Sequence, residues 1–118
     1  MKTELQKRLV AFAVGVILLS KHIPEDLAIK HLYGQLIRSA TSAGLNYGEA
    51  QTAETRKDFI HKLGIVLKEL KETEINLEMI IQTGLCENNS FFTERLKECR
   101  ELIAIYTATI KTARQNAG

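Results

Sequence analysis

At 118 residues the chain has the length of one domain, 1–118, able to bury a core without staples. Hydrophobic residues at 45% and charged residues at 25% are ordinary for a soluble globular protein. A net charge of +2, from 16 Lys and Arg against 14 Asp and Glu, is too small an excess to imply nucleic acid or an anionic membrane by itself. One Pro and no alternating β-branched runs leave no room for a sheet, so the composition is all-α.

The first helix carries a stripe of Leu5, Leu9, Phe12, Val16, Leu19 and Ile23, spaced three and four apart. Val10, Val14, Ile17 and Leu18 add a second apolar surface to it. A helix apolar nearly all round must be covered nearly all round, which points to contacts between subunits; a central helix within one subunit is the alternative. Lys2, Lys7 and Arg8 before Leu9–Leu19 imitate a signal peptide. The run is shorter than the ~20 residues that span a bilayer, and no small-residue cleavage site follows, so the expectation is a mature helix and no membrane partner. Pro24 ends this helix because the residue before a proline is pushed out of the α region. Pro24, Glu25 and Asp26 then start the next.

Helix two is expected from about Asp26 to about Ala53. It has two faces. Leu36, Ala40, Ala43, Tyr47 and Ala50 recur at helical spacing, and Gln35, Arg38, Ser42, Asn46 and Glu49 recur beside them. Ala40, Gly44 and Gly48 fall four apart, which would let a neighbouring helix approach closely. The polar stripe is either a solvated face or half-buried. If half-buried, its groups must pair along the helix or across subunits.

Helix three is expected from near Arg56, behind Thr55 as cap, to Gly84. Its core stripe is Phe59, Leu63, Val66, Leu70, Thr73, Leu77 and Ile80, with Glu69, Lys71, Glu72, Glu74 and Glu78 on the wet side. After the loop Cys86–Ser90, with Asn89 or Ser90 as N-cap, helix four follows with Phe92, Leu96, Cys99, Ile103, Tyr106, Ile110 and Ala113, and Arg114–Gly118 frays. Short loops make this an antiparallel up-down-up-down four-helix bundle. Cys86 and Cys99 should stand on the order of 15 Å apart by helical rise, beyond the ~7 Å reach of a disulfide. Free thiols fit a reducing cytoplasm.

Catalytic and metal signatures are missing. Asp58-Phe59-Ile60-His61 is the nearest approach to a di-iron motif, without a second copy and without an acid between Leu5 and Pro24 to close a ligand cage. His22, His31 and His61 read as exposed or half-exposed helix residues. Phosphate-loop, paired-cysteine and Ser-His-acid spacings are not found. The expectation is a non-enzymatic protein with no cofactor and no metal.

A series of segments resembles a known family, the four-helix bundle proteins named for open reading frames within 23S rRNA intervening sequences. It comprises Arg8 with Phe12-Ala13, Gln35-Leu36-Ile37-Arg38-Ser39-Ala40-Thr41-Ser42, Asn46-Tyr47-Gly48-Glu49-Ala50, Asp58-Phe59-Ile60-His61-Lys62-Leu63, Lys68-Glu69-Leu70-Lys71-Glu72-Thr73 and Glu101-Leu102-Ile103-Ala104-Ile105. The resemblance implies a ring-shaped homopentamer without enzymatic activity. The chain is similar also to the accessory protein of diversity-generating retroelements, a pentameric bundle that binds nucleic acid and a reverse transcriptase. Relatives often carry Arg where Gly48 and Thr52 stand here, and a Trp in helix three that this chain lacks. Arg38, Arg56, Lys57 and Lys62 remain as a cationic rim for RNA or DNA. Gln35, Arg38, Ser42, Asn46, Glu49, Val10, Val14 and Ile17 are the candidate interface or buried polar positions. The alternative is a structural or protein-docking ring with a protein partner and no nucleic acid.

Overall fold

The computed structural model describes residues 3–117; Met1, Lys2 and Gly118, and the side chain of Ala117, lie outside it. Four α-helices follow one another: α1 (Glu4–Leu18), α2 (Leu27–Gln51), α3 (Arg56–Thr83) and α4 (Ser90–Ala117). The starts of α1, α2 and α3 are each closed by a short side chain taking an orphan amide, as helix ends require. Thr3 accepts from Gln6 N at 3.1 Å, Asp26 from Ile29 N at 2.9 Å and Thr55 from Asp58 N at 3.0 Å. Gly84, at φ 66°, terminates α3 in the left-handed region that glycine enters without cost.

Each helix packs on two neighbours. α1 lies against α2 and α4, α3 lies against α2 and α4, and α1 and α3 therefore occupy one diagonal of a square. The bundle measures 49 × 23 × 22 Å. One continuous core runs through it, with Leu9, Phe12 and Val16 of α1, Ile29, Leu36, Ala40 and Ala43 of α2, Leu63, Val66, Leu70 and Leu77 of α3, and Phe92, Leu102 and Tyr106 of α4. This is the antiparallel four-helix bundle that the spacing of apolar residues predicts. Among the described residues, no helix is long and apolar enough to cross a membrane.

Several boundaries and assignments differ from the sequence expectation. The α-helical part of helix one stops at Leu18 and tightens into a single 3-10 turn, Leu19–His22, before Ile23 becomes extended ahead of Pro24. The Tyr33 hydroxyl, reaching across from α2, stands 2.9 Å from the Val16 carbonyl and 2.6 Å from that of Ile17, where it satisfies the freed helix end. Asp26 caps α2 from outside rather than opening it, and α2 ends at Gln51 rather than Ala53. α4 stays helical through Ala117, so the expected fraying of Arg114–Gly118 is not seen up to that residue, and Gly118 lies outside the described residues. The Lys2 of the signal-like N-terminus lies outside them as well.

Two core assignments change. In α4 the buried residue between Cys99 and Tyr106 is Leu102, while Ile103 is half-buried, because the stripe steps by three before it steps by four. Glu69, expected on the wet side of α3, is buried against α2. Of the small residues of α2, Ala40 is fully buried in the core, but the two glycines meet no other helix of the chain closely: a Cβ on Gly44 would meet nothing within 4 Å, and one on Gly48 only Gln6 Nε2 at 3.7 Å. The close approach is made by Gly15 on α1 instead. A Cβ there would stand 2.8 Å from Arg95 Nη1, and that guanidinium lies 6.0 Å over the Phe12 ring.

Tyr106 sits fully buried with its ring edge-on to Tyr47 at 5.3 Å, and its hydroxyl has no hydrogen-bond partner among the described residues. A buried hydroxyl without a partner gives up its hydration for nothing. Tyr106→Phe should leave stability unchanged or raise it by about 1 kcal/mol in urea titration. A loss of more than about 1 kcal/mol would mean that the hydroxyl is paired in solution.

Candidate interaction surface

The outward side of α1 is the largest uncovered apolar feature. Val10, Val14, Ile17 and Leu18 are 44%, 47%, 43% and 50% exposed, and no charged residue stands between Arg8 and Lys21. The stripe Gln6–Val10–Ala13–Ile17 follows the side on which Gln6 touches α2, while Arg8, Gly15 and Leu18 follow the side on which Arg8 and Gly15 meet α4. On α2, Leu45 is also uncovered, 69% exposed, on a face that carries Arg38 as well.

Three arginines stitch the helix pairs together, each gripping two glutamates a turn apart on its neighbour. Arg8 on α1 makes a two-pronged contact with Glu98 at 2.7 Å on both prongs and reaches Glu101 at 3.4 Å. Arg38 on α2 holds Glu69 at 3.0 Å and Glu72 at 2.6 Å. Arg100 on α4 holds Glu74 at 3.0 Å and Glu78 at 3.1 Å. Beside the Arg38 pair, the buried hydroxyls of Ser39 and Thr73 meet at 2.7 Å. Among the described residues the α1–α2 seam has no such clamp; apolar packing, the Tyr33 hydroxyl and a hydrogen bond from Gln51 Nε2 to Thr3 Oγ1 at 3.3 Å hold it.

The polar stripe of α2 is thereby divided. Gln35 is exposed at the mouth of a recess between α2 and α3, and Arg38 is committed to α3. Ser42 and Asn46 are half-buried, with Asn46 Nδ2 donating to the Ser42 carbonyl at 2.8 Å. Glu49 is exposed and accepts from Lys62 Nζ at 3.4 Å. Two of the four rim cations, Arg38 and Lys62, are therefore ion-paired within the chain. Arg56 and Lys57 stand exposed in the first turn of α3 and form no ion pair among the described residues. They occupy the positive end of a helix, where the backbone dipole repels cations.

Little here suggests reactive chemistry. Cys86 and Cys99 are free and buried. Burial pushes the Cys99 thiol up to about 12, and its sulfur donates to the Leu70 carbonyl at 3.2 Å. His22 is stacked on Phe91 with ring centroids 4.3 Å apart, and His31 and His61 are exposed. No group of three metal-binding side chains occurs among the described residues. Sequence reasoning missed Ser39, Glu69 and Asn76 as buried polar groups. The available signal was that Ser39 flanks the apolar stripe of α2, and Glu69 and Asn76 flank that of α3.

Removing Arg38 strands the Glu69 carboxylate in the α2–α3 seam. Arg38→Ala should cost about 1–2 kcal/mol in urea unfolding, reduced from a fully buried pair because the guanidinium is half exposed. Adding Glu69→Gln should recover most of it; no recovery would mean that Arg38 acts by packing alone. At the α1–α4 seam, the hydrogen bond and charge of Arg8 hold the Glu98 carboxyl below the usual carboxylate range. A lowered folded-state pKa stabilises above the unfolded value, ~4.3, and that part is lost as pH falls through the folded value. The stability difference between wild type and Arg8→Met should therefore be full at pH 7 and shrink below about pH 4. A difference independent of pH would contradict this.

Residues 1–108 match the family described as 23S rRNA-intervening sequence protein. The fold is similar to the crystal structure of a protein with unknown function from the S23 ribosomal protein family of Bacteroides thetaiotaomicron VPI-5482. The two are 33% identical over 91% of this chain and 98% of that one, with a TM-score of 0.81. No curated protein matches the chain.

Proposed function

The chain belongs to the 23S rRNA-intervening sequence protein family, and on that premise we propose that it is a self-assembling, non-catalytic bundle that carries nucleic acid on a repeated cationic rim. The observation that carries the reading is the uncovered face of α1, where Val10, Val14, Ile17 and Leu18 need a partner as apolar as themselves. A second copy supplies one. The ring-shaped homopentamer implied by the family resemblance is the assembly adopted here, and the free thiols fit a reducing cytoplasm.

The case for RNA or DNA rests on Arg56 and Lys57. Neither forms an ion pair among the described residues, and the dipole of α3 works against both, so their position is not one that favours the helix. Repetition around a ring multiplies their field, which a net charge of +2 per chain understates. Arg38 and Lys62 add less, since their charge is already met by Glu69, Glu72 and Glu49.

A second reading, a docking ring for a protein partner, is favoured by the exposed Leu27, Leu85 and Phe91. Salt separates the two. Phosphate contacts release counterions, so binding to single- and double-stranded RNA and DNA should weaken linearly in log–log form as salt rises. Arg56→Glu with Lys57→Glu should weaken it for every sequence alike and flatten the salt slope. No binding at low salt, or binding indifferent to salt, removes the nucleic-acid role and leaves the protein-docking reading.

A further inference from the structure

We infer that the outward ridge of α3, carrying Lys57, His61, Lys68 and Lys71, is the track along which a nucleic-acid duplex lies against the bundle. The inference rests on the nucleic-acid reading above and gives it a path, from the Arg56–Lys57 end of α3 to the middle of the molecule.

Steps of four, seven and three separate these residues, so they stand on one line of the helix, opposite the core line of Leu63, Val66, Leu70 and Leu77. All four are exposed, and the three lysines form no ion pair among the described residues. α3 packs against α2 and α4, which leaves this line facing away from the bundle. The line covers about 21 Å of helix axis by the α-helical rise. Gly64 falls on it with nothing within 4 Å of where a Cβ would stand, so no side chain rises between His61 and Lys68.

The acids of α3 are turned to its flanks and answered there. Glu69 and Glu72 are held by Arg38 from α2, and Glu74 and Glu78 by Arg100 from α4. Asp58 lines a recess on the α2 side together with Glu49 and Lys62. This sorting of charge leaves the ridge between the two flanks cationic, although the helix as a whole carries both signs. A surface lysine that serves only its own helix is answered by a glutamate four residues on. Lys68 has Glu72 in that place, but the Glu72 carboxylate stands 2.6 Å from Arg38 instead.

The chemistry of the row selects the occupant. Lysine meets an anion as a point charge and reads no planar group. The ridge residues 57, 61, 64, 68 and 71 include no Phe, Tyr or Trp, so unpaired bases find no such ring to stack on. A duplex needs no such platform, and it presents one phosphate charge per ~1.7 Å of its axis to a straight row of cations. Contacts of this kind hold the duplex in place without reading its sequence.

Fluorescence anisotropy of a short DNA duplex across a salt series tests the track. Each phosphate contact contributes about 0.9 to the log–log salt slope, so Lys68→Gln with Lys71→Gln should lower the slope by about 1.8. Lys97→Gln with Lys111→Gln removes the same charge from exposed positions of α4 that form no ion pair among the described residues, and should leave the slope at its wild-type value. Circular dichroism and sedimentation of both double variants should match wild type; Lys68→Ala with Lys71→Ala repeats the test if the glutamines unsettle α3. A slope unchanged by the α3 pair, or lowered equally by the α4 pair, overturns the ridge while the nucleic-acid reading stands. A change of assembled mass in the α3 pair places the ridge between copies and overturns it too. Tighter binding of the single strand than of the duplex overturns the duplex as occupant. A wild-type chain that binds neither at low salt overturns the nucleic-acid reading itself, and the ridge with it.

Discussion

From Leu9 to Ser20 the first helix carries no charged side chain, and its own chain covers only about half of its circumference. Everything else in the molecule is arranged around that imbalance. The inner half, with Leu9, Phe12 and Val16, closes the core. The outer half leaves Val10, Val14, Ile17 and Leu18 near half exposure. Covering what remains of each is worth about 1 kcal/mol, half of the transfer value for a full aliphatic side chain. Four such residues on one face make a coherent apolar surface, whereas scattered exposed leucines elsewhere need no explanation.

The rest of the bundle is built to hold that helix without blocking it. Three arginines, each spanning two glutamates, close the α1–α4, α2–α3 and α3–α4 seams. Their placement fixes the antiparallel register of the long helices and uses up most of the acidic side chains of α3. The α1–α2 seam is held differently, by apolar packing and by Tyr33 closing the C-terminal end of α1. Among the described residues, the α1–α2 seam is the one that no ion pair crosses. Arg56 and Lys57 form no ion pair among the described residues and stay outside the scheme.

The path from sequence to fold was short where one side chain decides one thing. The apolar stripes place most of the core, Thr55 and Gly84 mark the ends of α3, and the excess apolar surface of α1 is legible in Val10, Val14 and Ile17. It was long where two helices decide together. Glu69 reads as a solvated acid on its own helix and becomes buried only because Arg38 reaches it from α2. The same pairing takes Arg38 out of the cationic rim, and Glu49 does so for Lys62. Gly44 and Gly48 looked like a path for a neighbouring helix, yet the cramped glycine is Gly15, because Arg95 folds over α1 there. Periodicity reports which side of a helix is dry; it does not report what charge waits on the helix opposite.

Whether another copy of the chain covers the outer face of α1 can be read from sedimentation equilibrium of the wild-type protein over a wide dilution series. Masses should be multiples of 13.3 kDa and fall toward that value only on dilution. A folded species of 13.3 kDa at every concentration, with its helical content intact, would leave that face bare and the self-association disproved.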